Sequence, residues 1–202
     1  MSIMNWWTTP EKAIVAVDTR LGSLRNDTVA DEGSKLLVLP HLGAVLAGRG
    51  VISLLGAVFQ IVHAHGGDFD HVAQSIGPAL KEQDSRFRQF AREGGHEYEG
   101  LQQLVFVGYS HSLGKLATYF YESDGSAVTM RGDCPRMFAP GDYQIDYQSI
   151  QASPFSEKSH LELARAQVAG AMCQGHTAGM GGRLVIAHVA RDGVSTRVVG
   201  DI

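Results

Sequence analysis

The order of apolar segments predicts an α+β layered domain. Strand-like runs come first, followed by two long helical stretches, more strands, one further helix and closing strands, which is not the alternating βαβ order of a parallel sheet. Short turns join neighbouring strands, and Asp192-Gly193 between RLVIAHVA and VSTRVVG is among the strongest hairpin signals a sequence carries. Such an order places sheets on both sides of a helical layer or helices outside a sandwich.

Each element has its own local reason. Residues 2–7 and 13–19 read as two strands joined by the turn Thr8-Thr9-Pro10-Glu11, so the Trp6-Trp7 stub is an ordered strand rather than a loose leader. A polar loop over residues 24–34 follows, then the paired short strands KLLVLP and GAVLAGRG. GVISLLGAVFQIVHAHGG is apolar on nearly every face and reads as a buried helix. DFDHVAQSIGPALKEQDSRFRQFAREGG opens on Asp-x-Asp, a helix cap, and carries a charged face. LQQLVFVGYS, KLATYFYES and AVTMRG return to strand composition, with Ser123-Asp124-Gly125 as a turn. A Tyr/Gln-rich loop over residues 139–154 leads to SEKSHLELARAQVAGAMCQ, an amphipathic helix capped by Ser156.

Composition narrows the function classes. A chain of 202 residues with 44% hydrophobic residues fits one domain, taken as 1–202, with a sizeable core. A net charge of −4 provides no basic field for nucleic acid. Cys134 and Cys173 are too few for a disulfide framework and suit a reducing cytoplasm. No secretory leader is expected. The longest apolar run, from Val51, is shorter than the roughly 20 residues of a membrane span, so no membrane partner is expected either.

Several motifs recur together in one order: IVAVDTR, ending in Asp18-Thr19-Arg20; SKLLVL with Lys35; LGAVLAGRG with Gly48 ahead of a long helix; LVFVGYS with KLATYFYESDGS; and GMGGRLVIAHVARDGV. Together they resemble the proteasome beta subunit and bacterial heat-shock-locus peptidase family of N-terminal-nucleophile hydrolases. The resemblance implies a four-layer αββα sandwich of two antiparallel sheets flanked by helices. It also implies a catalytic first residue about sixteen positions before the aspartate of the Asp-Ser/Thr-Arg motif. Counting back from Asp18 gives Ser2, the N-terminus once Met1 is removed. The chain begins at this frame position, whereas the α-type subunits of that family carry an N-terminal helical extension.

The chemistry is self-consistent. Serine is a poor nucleophile without a base, and an α-amino group, with a reference pKa near 8, supplies one. A neighbouring ammonium lowers that pKa further; the resemblance assigns this part to Lys35, with Asp18 orienting it, Arg20 bracing the carboxylate and the Gly48 N–H holding the oxyanion. The expected activity is peptide or other amide hydrolysis through an acyl-Ser2 intermediate, in a homo-oligomer that can form rings, without a cofactor or metal. The alternative is a catalytically inactive subunit that keeps the fold as a scaffold or interaction module. Serine in place of the usual threonine is one departure from the family pattern. Others are Ala139-Pro140-Gly141 in place of a serine-containing turn, His176-Thr177 near an aspartate position, and the loop DYQIDYQSIQAS in place of a helix.

Competing motifs are weaker. Gly108-Tyr109-Ser110-His111-Ser112 lacks the final glycine and the strand–turn–helix context of a nucleophile elbow. Cleavage before Thr8 or Thr9 would delete most of the first strand. His63 and His65 are two apart and point to different helix faces, against the i, i+4 spacing of metal ligands. Arg131-Gly132-Asp133 reads as a turn, and Gly181-Gly182 lacks the lysine and helix of a phosphate loop.

Overall fold

The computed structural model describes residues 2–22, 29–141, 145, 147, 150, 152–175 and 179–202. Twelve strands and three α-helices lie among them: β1 (Met4–Thr8), β2 (Lys12–Asp18), β3 (Arg20–Gly22), β4 (Val29–Glu32), β5 (Leu36–Leu39), β6 (Ala44–Arg49), α1 (Ile52–His65), α2 (Phe69–Glu93), β7 (Gln102–Ser110), β8 (Lys115–Ser123), β9 (Val128–Gly132), β10 (Arg136–Ala139), α3 (Glu157–Cys173), β11 (Arg183–Ala190) and β12 (Gly193–Asp201). The strands form a five-stranded sheet β10-β1-β2-β11-β12, a second five-stranded sheet β5-β6-β7-β8-β9 and a two-stranded ribbon β3-β4, all antiparallel.

Side-chain alternation decides which face goes where. Val15 and Val17 of β2, with Met4 and Trp6 of β1, meet Val45, Val105, Val107 and Phe120 of the second sheet in a core between the two large sheets. The opposite faces of the same strands do different work. Ile14, Ala16 and Ile186 pack under Ala164, Val168 and Ala171 of α3, while Leu46, Leu104 and Phe106 pack under Leu55, Val58, Val72 and Ile76 of α1 and α2. Strands covered on both faces read as unbroken apolar runs, which is why AIVAV and LVFV show little polar alternation.

The expected four-layer αββα sandwich of two antiparallel sheets is corrected here. The described residues form three sheets, not two, in a β-rich fold with three helices, of which two cover one large sheet and a single one covers the other. The third sheet arises in a segment whose polar composition reads as loop. Arg20 pairs with Glu32 and Leu21 with Asp31 in the ribbon's own ladder. The strand β10 is likewise invisible in the sequence, being four residues long and placed by its pairing with β1, Met4 opposite Ala139. The loop expected to replace a further helix, residues 142–153, falls largely outside the described residues.

A buried amide pair ties α3 to the first sheet. The Asn5 side-chain amide donates to Gln167 Oε1 (2.8 Å), and Gln167 Nε2 donates back to Asn5 Oδ1 (3.1 Å) and to the Pro140 carbonyl (3.2 Å). Asn5 Oδ1 also accepts the Ala139 N–H (3.0 Å), so one side chain joins β1, β10 and α3. Asn5→Ala orphans the Ala139 N–H and Gln167 Oε1, while Gln167 Nε2 keeps the Pro140 carbonyl, and each buried unsatisfied group costs about 1–3 kcal/mol. The expected loss of stability is about 2–4 kcal/mol, read from the shift in urea midpoint at unchanged slope.

Candidate active site

Chain geometry brings five segments to one end of the two large sheets. Residues 2 and 3 precede β1, Asp18 ends β2, Lys35 precedes β5, Gly48 lies at the end of β6, and residues 179–182 lead into β11. The antiparallel register forces the meeting. Met4 pairs with Val17, so Ile3 sits beside Asp18, and Leu184 pairs with Asp18 from the other side.

Lys35 and Asp18 form a buried ion pair, Nζ to Oδ1 2.8 Å, linking the two large sheets. The same Nζ donates to Ser2 Oγ at 3.1 Å and to the Gly179 carbonyl at 3.4 Å. Asp18 accepts two further bonds, from the Ile3 N–H to Oδ1 (2.9 Å) and from the Gly181 N–H to Oδ2 (3.0 Å). Ser2 is 6% exposed, Lys35 3% and Asp18 0%, so water does little to solvate the cluster. Burial pushes the Lys35 ammonium down from the ordinary lysine range; Asp18 pulls it back, while Arg49 and Arg20 act in the same direction as burial. Burial pushes the Asp18 carboxyl up, against Lys35 and the Ile3 and Gly181 N–H groups, which favour the ionised form.

Two of the expected site residues do other work. Arg20 does not reach Asp18: its Nη1 donates to the Met180 carbonyl (3.3 Å) and its backbone N–H to the Gly181 carbonyl (3.0 Å). It therefore braces the turn that presents the Gly181 N–H to Asp18, one step removed from the carboxylate. The Gly48 N–H donates to the Lys35 carbonyl (2.9 Å) and is spent on the sheet ladder, not free for an oxyanion. Its missing side chain has a packing reason, since a Cβ there would stand 2.9 Å from Leu104 Cδ2 and 3.1 Å from Leu55 Cδ1. Gly48, Lys35 and the first turn of α1 also line a cavity of about 10 Å³, room for about one water.

The contribution of residues 179–182 was missed as a site feature. Gly181 and Gly182 adopt φ of 123° and 79°, and a Cβ on Gly182 would lie 2.6 Å from Thr19 Oγ1. The Gly-Met-Gly-Gly sequence signals such a turn, although not what it would touch. Thr19 Oγ1 in turn donates to Glu32 (3.2 Å) and accepts the Arg183 N–H (2.8 Å), so the β3–β4 ribbon and the turn hold each other. The position near His176-Thr177 lies outside the described residues, and Pro140 serves the Gln167 amide.

The competing motifs have structural partners. Ser110 is buried and donates to Asp70 Oδ1 (2.6 Å), while Asp70 Oδ2 accepts the Ser112 N–H (2.9 Å), which pins the β7–β8 turn to α2. Thr8 Oγ1 meets Thr118 Oγ1 at 2.6 Å inside the core. His65 Nδ1 contacts the Ile61 carbonyl (3.1 Å), and His63 packs edge-on to His41. Among the described residues Cys134 and Cys173 are free thiols, and no helix is long and apolar enough to cross a membrane.

No known family model matches the chain, and no curated protein matches it. Among solved structures it is similar to the "Anbu (Gly-1) mutant from Hyphomicrobium sp. strain MC1", at a TM-score of 0.64 over 99% of this chain and 87% of that one, with 15% sequence identity. Its fold is similar to that of Anbu. At this identity the likeness concerns the fold alone, and it corrects the resemblance to the proteasome beta subunit and heat-shock-locus peptidase family, which neither comparison of sequences upholds. The physical reason lies in the motifs, which are strand ends and turns. Gly181-Gly182 is demanded by positive φ, and an Asp at a strand end by the two backbone N–H groups it accepts, whatever the lineage.

Removing one member of a buried ion pair leaves the other charge uncompensated, at about 3–5 kcal/mol. Asp18→Asn and Lys35→Met are each expected to destabilise the fold by about that much. The double variant is expected to cost clearly less than their sum, as measured by urea unfolding of all four proteins.

Proposed function

We propose that the chain is an N-terminal-nucleophile hydrolase, a peptidase or amidase in which Ser2, exposed by removal of Met1, attacks an amide carbonyl. One observation carries the reading: a buried lysine bridges Asp18 at 2.8 Å and Ser2 Oγ at 3.1 Å, at the sheet end where the first strand begins. The similarity of the fold to that of Anbu supports the same reading. A nucleophilic hydroxyl is rarely given a buried ammonium for packing alone, because the charge is costly to bury.

The roles follow from the chemistry. The Ser2 α-amine accepts the hydroxyl proton as Oγ bonds to the carbonyl carbon. Lys35, held charged by Asp18, lowers the basicity of that amine by like-charge repulsion and donates to Oγ as negative charge develops. Collapse of the tetrahedral intermediate expels the amine, which leaves with the transferred proton, and water then cleaves the acyl-Ser2 ester. We further infer a cytoplasmic homo-oligomer, in line with a low cysteine content. A second reading has one observation in its favour: the Gly48 N–H is engaged by the Lys35 carbonyl, as suits an inactive scaffold that keeps the ion pair for stability.

One experiment separates the readings. Turnover of fluorogenic peptide amides is expected to fall by at least about 10³-fold in Ser2→Ala with the folded state unchanged by circular dichroism; equal turnover by the variant contradicts the enzyme reading. Loss of the Lys35 charge raises the basicity of the α-amine, so the acidic limb of kcat/KM in Lys35→Met is expected to move to higher pH, towards the reference value near 8. An unmoved limb would assign Lys35 to stability alone.

A further inference from the structure

We propose that the substrates are peptides or amides whose acyl-side residue, the one that becomes esterified to Ser2, carries a small uncharged side chain: glycine, alanine or serine. This substrate class rests on the hydrolase reading above. It follows from the cavity of about 10 Å³ that Lys35 shares with the β6–α1 corner. Lys35 lines this hollow, and its Nζ lies 3.1 Å from Ser2 Oγ. In an acyl-enzyme the side chain of the esterified residue branches from the carbon next to the reacting carbonyl, so a hollow beside the group that touches Oγ is within its reach. The hollow has room for about one water. A methyl or hydroxymethyl group matches that space, and an isobutyl or benzyl group far exceeds it.

Packing keeps the hollow from widening. Gly48 forms one side, where an added Cβ would already stand 2.9 Å from Leu104 Cδ2 and 3.1 Å from Leu55 Cδ1. Both leucines are buried in the core beneath α1 and α2, and interiors packed to this density yield little. The corner forms the other side. Val51 has no side chain to cap α1, and buried Gln102 at the start of β7 takes over, its Oε1 accepting the Val51 N–H at 2.7 Å. Gly50, at φ 119°, is backed by the same side chain: a Cβ there would run into Gln102 Oε1 and stand 2.8 Å from the Leu101 carbonyl. Room for a larger group therefore means breaking the Gln102–Val51 bond or lifting α1 off the sheet. The lining also disfavours charge. Leu54, Leu55, Leu80 and Leu104 make much of it apolar, and a charged group loses its water there without a partner. Of the two cations on the lining, Lys35 is committed to Asp18, and Arg49 Nη1 donates to Gln103 Oε1 (3.1 Å).

The test is a panel of fluorogenic peptide amides that differ only in the acyl-side residue (glycine, alanine, serine, leucine, phenylalanine, glutamate or arginine), read as kcat/KM on the untagged full chain. Alanine is expected to exceed leucine and phenylalanine by about tenfold or more, since one methylene is worth about 10–200-fold in an apolar pocket. Leu55→Ala and Ile52→Ala each enlarge the hollow, and each is expected to raise leucine relative to alanine by about tenfold or more. Leu55 is a core residue, whereas Ile52 is half-buried at the start of α1, so the second variant decides if circular dichroism shows the first to be unfolded. Equal or greater kcat/KM with leucine, phenylalanine, glutamate or arginine in the unaltered protein, or a leucine-to-alanine ratio that the folded variants leave unmoved, overturns the proposal while the hydrolase reading stands. Turnover of no member of the panel overturns the hydrolase reading, and this substrate class with it.

Discussion

The fold turns on the cost of burying Lys35 and Asp18 between two sheets. Taking an ammonium and a carboxylate out of water costs several kcal/mol per ion, and mutual attraction offsets this only when the remaining hydrogen-bonding capacity is also met. Asp18 meets it with three donors, Lys35 Nζ, the Ile3 N–H and the Gly181 N–H; Lys35 uses Asp18, Ser2 Oγ and the Gly179 carbonyl. These partners come from four segments. The start of β1, the end of β2, the approach to β5 and the turn before β11 must therefore converge on one point for the pair to be tolerated.

This constraint also explains features that otherwise look unrelated. Arg20 and Glu32 secure the 180–183 turn from the β3–β4 ribbon, and the glycines at 181 and 182 allow the backbone to pass within bonding distance of Asp18 and Thr19. Trp6 and Met4 hold β1 against the inter-sheet core, while Asn5 fixes the opposite face of that strand to α3. The two residues that precede β1 are thus anchored on both faces of the strand that follows them.

Much of this was legible in the sequence, and the reasons differ by element. Double-sided burial made β2, β7 and β11 visible as apolar runs; the Asp68 and Ser156 caps, and the Asp192-Gly193 turn, were readable because their chemistry is local. The β3–β4 ribbon and β10 were not, since their identity comes from pairing partners over 100 residues away or from polar ladders without periodicity. In the candidate site, Ser2, Asp18 and Lys35 are brought together. The finer roles were misjudged where backbone groups decide them. A sequence does not show that the Gly48 N–H is spent on Lys35, or that Arg20 reaches the carbonyl of Met180 rather than a carboxylate. The architecture failed for a similar reason, because a third sheet made from a polar segment leaves no hydrophobic signature.

The central claim is that the buried Lys35–Asp18 pair serves a free Ser2 terminus. Intact-mass measurement of untagged protein before and after incubation with a peptide epoxyketone tests it most directly, because that probe closes a ring only with an α-amine and its neighbouring hydroxyl. The account predicts a chain lacking Met1 that gains one adduct, mapped to Ser2 and absent in Ser2→Ala. A chain that retains Met1 and stays unmodified would contradict it and leave the ion pair as a structural element alone.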